Sequence, residues 1–287
     1  MRILVAGNRS GCYNQHLHFD FFEQELQRLG HTVHRWRGGA PGVSPFSPTV
    51  AAFQPDVVIS HKPRSQSASW LDLPSRIKRV AVMVDYHYES EADQYLQSCD
   101  LVCFRHSDHL RVAVEDHGLS VPRSIWLPFS VDGRRVPPPR QKNYNRIFFA
   151  GNRRANVYPA RARVLRECRG YFSDPNRVLS YKDYLNGANK CGFGLACKSK
   201  YNIDPAKLVE YASVGCIPLC DGSPGQEQLL PGLTETYALP ADVERILSSK
   251  RRTEWQEQSR ACRQYVQRHH THQVRAQQFM EEVCSLF

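Results

Sequence analysis

Three patterns are missing from these 287 residues, and each absence removes a class of protein. No apolar run approaches the ~20 residues that a membrane-spanning helix needs. Met1-Arg2-Ile3-Leu4-Val5 reads as the lead into a strand and not as a secretory signal. The expectation is a cytoplasmic protein, in the host cytoplasm if the chain is viral, without a transmembrane segment. Gly-x-Gly-x-x-Gly does not occur in the loop from Gly7 to Gly11, which weighs against a classical dinucleotide site. Zinc spacing is the third absence. The ten cysteines are scattered, and Cys99, Cys103, Cys216 and Cys220 each belong to partly apolar runs, so free, buried thiols are expected. His269, His270 and His272 are the one histidine cluster; on a charged terminal helix they read as solvent-facing or as capping a contact rather than as metal ligands.

What is present is an alternation of short apolar strands and amphipathic helices. The length exceeds one average domain, so two are expected. Strands are expected at Arg2 to Ala6, Thr32 to Trp36, Asp56 to Ser60, Val80 to Val84, Leu101 to Phe104 and Ser124 to Leu127, with helices at His18 to Leu29, Asp93 to Ser98 and Asp108 to His117. A Pro- and Arg-rich linker, Gly133 to Asn143, follows. The pattern resumes with a strand at Arg146 to Ala150, a helix at Pro159 to Cys168, a buried run at Cys191 to Cys197 and a helical tail from Val243 to Phe287. Expected domains are 1–133, 144–265, and a terminal helix 266–287 that crosses back to the first.

The formal charge of +10 speaks to partners and not to fold. Basic groups recur at Lys62 and Arg64, Arg153 and Arg154, and Lys250 to Arg252. They exceed what one small anion requires, and they suggest a polyanion, either nucleic acid or an anionic membrane surface.

The stretch Lys207 to Gly222 organises the rest. Leu208, Tyr211 and Ala212 recur at helical spacing, Gly215 stands where a helix stops in the left-handed conformation, and Ile217 to Cys220 reads as a buried strand. Lys207 and Glu210 share one helix face. The first could meet a diphosphate and the second a ribose diol. Gly151-Asn152-Arg153-Arg154, after another strand, offers a glycine for close backbone approach and two arginines for phosphate oxygens. Asp85 follows the apolar strand Val80 to Val84, a place from which a carboxylate can project as a general base. The loop from His61 to Trp70 leaves the same carboxyl edge, where open α/β sheets bind ligands.

Lys207-x-x-Glu210, a helix turn, Gly215-x-x-Pro218 and a hydrophobic strand resemble the donor signature of glycosyltransferases with the GT-B fold. Leu127-Pro128-x-x-Val131-Asp132 is similar to the segment that leads out of the first domain in many of them. The fold implied is α/β, two Rossmann-like domains facing across a cleft. Both halves also resemble phage DNA β-glucosyltransferases, and the second resembles CgeB-like glycosyltransferases. The resemblance implies UDP-glucose as donor, held by Gly151, Asn152, Arg153, Arg154, Leu179, Lys207 and Glu210. It implies Asp85 as base, His18, Lys62 and Arg64 toward the acceptor, and a hydroxymethylated pyrimidine in double-stranded DNA, flipped out of the helix, as that acceptor. Asp-x-Asp is absent, against a metal-dependent GT-A enzyme, so Mg2+ would assist diphosphate release without a dedicated motif. Asn202 stands where many retaining enzymes carry glutamate, which favours inversion. The alternatives are an enzyme acting on a cell-envelope or small-molecule acceptor, and a non-catalytic nucleic-acid-binding module.

Overall fold

The structure, a computed structural model, describes residues 1–6, 23–36, 46–61, 72–83, 93–120, 123–173, 179–198 and 203–287. The chain divides into two compact units, Met1–Pro128 with His272–Phe287, and Phe129–Thr271.

In the first unit, β1 (Arg2–Ala6), β2 (Thr32–Trp36), β3 (Val57–His61), β4 (Lys78–Met83), β5 (Leu101–Phe104) and β6 (Ser124–Trp126) form one sheet in the order β2-β1-β3-β4-β5-β6. Every pairing is parallel. A parallel sheet is covered on both faces, which is why its strands are near-continuous apolar runs instead of alternating ones. Leu4, Ala6, Val58, Ala81, Met83, Val102 and Phe104 face one layer with Phe46 and Val50 of helix α1 (Phe46–Phe53). Their strand neighbours Ile3, Val5, Val57, Ile59, Val80, Val82, Leu101 and Cys103 face the other. There Ala276, Phe279, Met280 and Val283 of the last helix, His272–Cys284, complete the core. A helical run at 23–28 ends at Gly30, whose φ is +85°.

The second unit repeats this topology. Its strands are β7 (Asn143–Phe148), β8 (Phe172–Ser173), β9 (Cys191–Leu195), β10 (Ile217–Cys220) and β11 (Glu235–Thr236), in the order β11-β10-β9-β7-β8 and again parallel. Numbered within each unit, both sheets read 2-1-3-4-5, with a sixth strand added to the first. Order reverses beside the first strand of each, which is the topological switch point of an open α/β sheet. Around the sheet lie α2 (Pro159–Glu167), α3 (Tyr181–Lys190), α4 (Lys207–Ser213), α5 (Pro240–Ser248) and α6 (Arg252–His269). Gly215 ends the α4 turn with φ +69°, as expected, and a Cβ there would lie 2.7 Å from the Ser259 carbonyl oxygen of α6. That contact fixes α6 on the α4–β10 corner and permits only glycine. A single parallel bridge, Val131 to Thr271, joins the unit's two ends.

Several boundaries differ from the sequence reading. β7 starts at Asn143 and not at Arg146, because Asn143 pairs with Cys191 of β9 and the register then shifts before Ile147. Backbone pairing extends a strand that side-chain hydrophobicity does not mark. Beyond it, Phe149 and Ala150 are buried but unpaired in the sheet. The helix expected at Asp108 to His117 is α-helical only over Ser107–Arg111 and then widens into a π-helical turn, Val112–Asp116. Asp132 opens the linker by accepting the Arg134 backbone N–H at 3.1 Å. His270 and His272 are buried rather than solvent-facing, and the His270 ring meets the Leu229 carbonyl at 2.7 Å. The nine described cysteines are free thiols, and all but Cys284 are buried. Among the described residues no helix is long and apolar enough to cross a membrane.

Candidate active site

In the second unit the switch point lies between the carboxyl ends of β7 and β9. The chain leaves β7 into Gly151-Asn152-Arg153-Arg154 and leaves β9 into Ala196-Cys197-Lys198. Gly151 has φ +144°, a backbone that L side chains rarely adopt. A Cβ on it would lie 3.3 Å from both Cε and Nζ of Lys207, the first residue of α4. The two motifs singled out in the sequence are therefore in contact. Asn152 accepts the Arg154 backbone N–H at 2.9 Å, which turns the loop so that the side chains of Arg153 and Arg154 stand in solvent.

Lys207 is half-buried, and among the described residues its ammonium has no hydrogen bond and no carboxylate within 4.0 Å. Burial lowers its pKa; Arg161 pushes the same way and Glu210 opposes both. Glu210 is 8% exposed, and Tyr184 on α3 donates its hydroxyl proton to Oε2 at 2.9 Å. Burial raises the Glu210 pKa, while Lys207 and the Tyr184 hydrogen bond hold it back. Tyr184 stacks on Tyr211 with ring centroids 5.7 Å apart, and the Lys207 ammonium lies 5.5 Å from the Tyr184 ring. This places a cation, a buried carboxylate and two aromatic rings on one side of the switch point.

Two residues of this site escape a reading of the sequence. Arg161 sits in the basic run Pro159-Ala-Arg-Ala-Arg163 and looks like a surface residue, yet it is 4% exposed. Its Nη1 donates to the Asn152 carbonyl at 2.8 Å and its Nη2 to the Cys197 carbonyl at 3.0 Å. It thus ties together the two loops that flank the switch point. Tyr158 and Phe149 cover its guanidinium at 3.6 and 5.2 Å from their ring centroids. Tyr184 is the second; it lies on α3, a different helix from Lys207 and Glu210, and nothing local in the sequence ties it to them. Across the site Asp221, after β10, accepts the Lys198 backbone N–H at 2.9 Å, and burial raises its pKa.

Leu179 is half-buried just before Ser180, which caps α3, the helix that carries Tyr184, by accepting the Asp183 N–H at 3.2 Å. Asp85, His18, Lys62 and Arg64 lie outside the described residues. β4, which ends at Met83 two residues before Asp85, is described, and its last carbonyl accepts the Arg105 N–H at 2.9 Å. No group of three or more His, Cys, Asp or Glu side chains among the described residues could hold a metal ion.

Solved structures with this architecture include several glycosyltransferases. The chain superposes on the lipopolysaccharide outer core galactosyltransferase WaaB with a TM-score of 0.67 at 13% identity, covering 100% of both chains. A glycosyltransferase from Rickettsia africae ESF-5 gives 0.67 at 10% identity, with 99% and 98% covered. AviGT4, a glycosyltransferase of avilamycin A biosynthesis, gives 0.63 at 14% identity, with 100% and 98% covered. At these identities the likeness establishes the fold alone, α/β with two parallel sheets of the GT-B class. No curated protein matches the chain in sequence. Residues 143–281, most of the second unit and the start of the last helix, match the family described as glycosyl transferase-like. The stretch includes every donor residue named above.

Proposed function

We propose that the chain transfers a hexose from UDP-glucose to a hydroxyl acceptor, with inversion at the anomeric carbon. The observation that carries this reading is the unpaired Lys207 ammonium against the Gly151 backbone at the switch point. A half-buried cation that makes no ion pair within 4.0 Å among the described residues, with Glu210 acting on it only from farther off, is stabilised by an arriving anion, and the glycine leaves room for a diphosphate to approach the main chain. Arg153 and Arg154 add charge from the same loop, and Glu210 holds the ribose. Asp85 takes the proton of the acceptor hydroxyl as its oxygen bonds to the anomeric carbon. The anomeric C–O bond to the diphosphate breaks, and its electron pair leaves with UDP. Lys207 and the two arginines stabilise the charge that grows on that oxygen. Mg2+, if it accompanies the diphosphate, would add to that charge stabilisation.

For the acceptor we favour a 5-hydroxymethylpyrimidine in double-stranded phage DNA. The net charge of +10 supports a polyanion, and the phage DNA β-glucosyltransferases share the strand-end aspartate matched by Asp85. A base within a duplex would be flipped out to reach the enzyme. The test is incubation with UDP-glucose and duplex DNA containing 5-hydroxymethylcytosine, read by nucleoside mass spectrometry against a panel of other nucleotide sugars and of envelope and small-molecule acceptors. A glucosylated nucleoside is the expected product. Transfer only to a non-DNA acceptor would replace the DNA reading, and no consumption of any nucleotide sugar would remove the enzyme reading.

A further inference from the structure

The opposite edge of the same sheet carries a second set of cations. A cavity of about 610 Å³ opens where β7 and β9 begin, lined by Lys142, Asn143, Tyr144, Lys190, Arg252 and Trp255, with Lys250 beside them. Lys142 and Lys190 each immediately precede one of two paired parallel strands, so the sheet itself brings them together. No carboxylate belongs to the lining. Lys250 is neutralised from outside by Glu235 at 2.7 Å. The other three have no such partner among the described residues. Lys142 donates to the Asn189 carbonyl at 2.9 Å, and its burial, chiefly, lowers its pKa. Lys190 and Arg252 are exposed.

A second observation is independent of charge. Trp255 is 1% exposed, and its indole N–H is buried without an acceptor. Phe193 packs edge-on against the ring at 4.9 Å and the Lys250 ammonium lies over it at 4.5 Å. Buried donors are almost always satisfied, and an exception calls for a missing partner. Trp255 lines the cavity, so its indole N–H reports on what binds there.

We infer that this cavity is a second binding site, for a small phosphate-bearing molecule of sugar-phosphate or nucleotide size. The volume falls in the range of small-molecule sites. Lys142, Lys190 and Arg252 take the phosphate, Tyr144 offers its ring, and the Asn143 amide can pair with hydroxyl groups or a base edge. The site is distinct from the donor site. β7 begins at this cavity and ends before Gly151, and a strand of its six residues spans roughly 20 Å.

The test follows the indole N–H resonance of Trp255, assigned with Trp255→Phe, while pyrophosphate and then AMP are added to the full chain. The expected result is a saturable shift complete by about 1 mM, the affinity of an ordinary metabolite site. Lys190→Ala/Arg252→Ala should weaken it roughly tenfold or more, the effect of losing charge-assisted hydrogen bonds. Lys207→Ala should leave it intact, which separates it from anion binding at the donor site. No shift with either probe in the wild-type protein would overturn the inference. So would an equal shift in the double variant, or a response to duplex DNA alone, which would assign this edge to a polyanion. Both altered side chains are exposed, and the wild-type titration decides the matter if the double variant does not fold.

Discussion

The backbone of Gly151 and the ammonium of Lys207 touch: a Cβ on Gly151 would stand 3.3 Å from Lys207 Nζ. The loop after β7 and the helix after β9 thus meet at one point, and a side chain there would both strain the backbone and push the cation aside. Gly151→Ala should cost roughly 1–3 kcal/mol of stability, the range for a non-glycine residue forced into such a conformation. It should also weaken UDP binding. Denaturant unfolding and a UDP titration check the two effects, and wild-type values in both would show that the glycine is dispensable.

Arg161 bridges the Asn152 and Cys197 carbonyls from a buried position. Lysine keeps the charge but cannot reach both acceptors in one plane. Arg161→Lys should therefore destabilise the protein by roughly 1.5–3 kcal/mol, the worth of a hydrogen bond to a charged group. Hydrogen exchange at Asn152 to Arg154 should rise along with it. Unchanged exchange would mean that the loop is held by its own Asn152 turn alone.

Part of this site is legible in the sequence. β1, β5 and β10 lie where their apolar runs place them, because strands buried on both faces advertise themselves. Lys207, Glu210, Gly151 and the glycine stop at Gly215 follow from spacing. Arg161 does not. Its burial depends on two carbonyls that come from elements nine and thirty-six residues away, and nothing local distinguishes it from Arg163 or Arg166, both exposed. The first three residues of β7 are hidden for a similar reason, since their strand character comes from pairing with β9. The cluster around Glu210 was half visible: the carboxylate stood out, but its Tyr184 partner lies on a different helix.

Tyr184→Phe removes the hydroxyl that donates to Glu210 and leaves a buried carboxylate with less support. The Glu210 pKa is already raised by burial. An acid with a raised folded pKa costs stability once the pH exceeds its unfolded value, ~4.3, and the cost is complete above the folded value. Losing the hydroxyl raises that pKa further. The variant should lose roughly 1–3 kcal/mol near neutral pH, less as the pH falls toward the unfolded value. Unfolding curves at several pH values check this; a loss that does not shrink on acidification would place the role of Tyr184 in packing.

Asp85→Asn preserves size and removes the proton acceptor. Transfer should slow by roughly 10²–10⁴-fold, the usual contribution of a general base. UDP affinity should hold, since the proposed donor residues all belong to the second unit. A wild-type transfer rate would return Asp85 to the status of a turn residue at the end of a strand.

The central claim is that Lys207 receives the diphosphate, and calorimetric titration of UDP into the wild-type protein and Lys207→Ala tests it most directly. Burial lowers the pKa of Lys207, and an anion favours its charged form, so UDP binding should take up protons and weaken as the pH rises toward that lowered value. Lys207→Ala should bind UDP roughly 10- to 100-fold less tightly, about 1.4–2.8 kcal/mol, and lose the pH-dependent proton uptake. Equal affinity in the two proteins, or no binding of UDP by the wild type, would contradict the account.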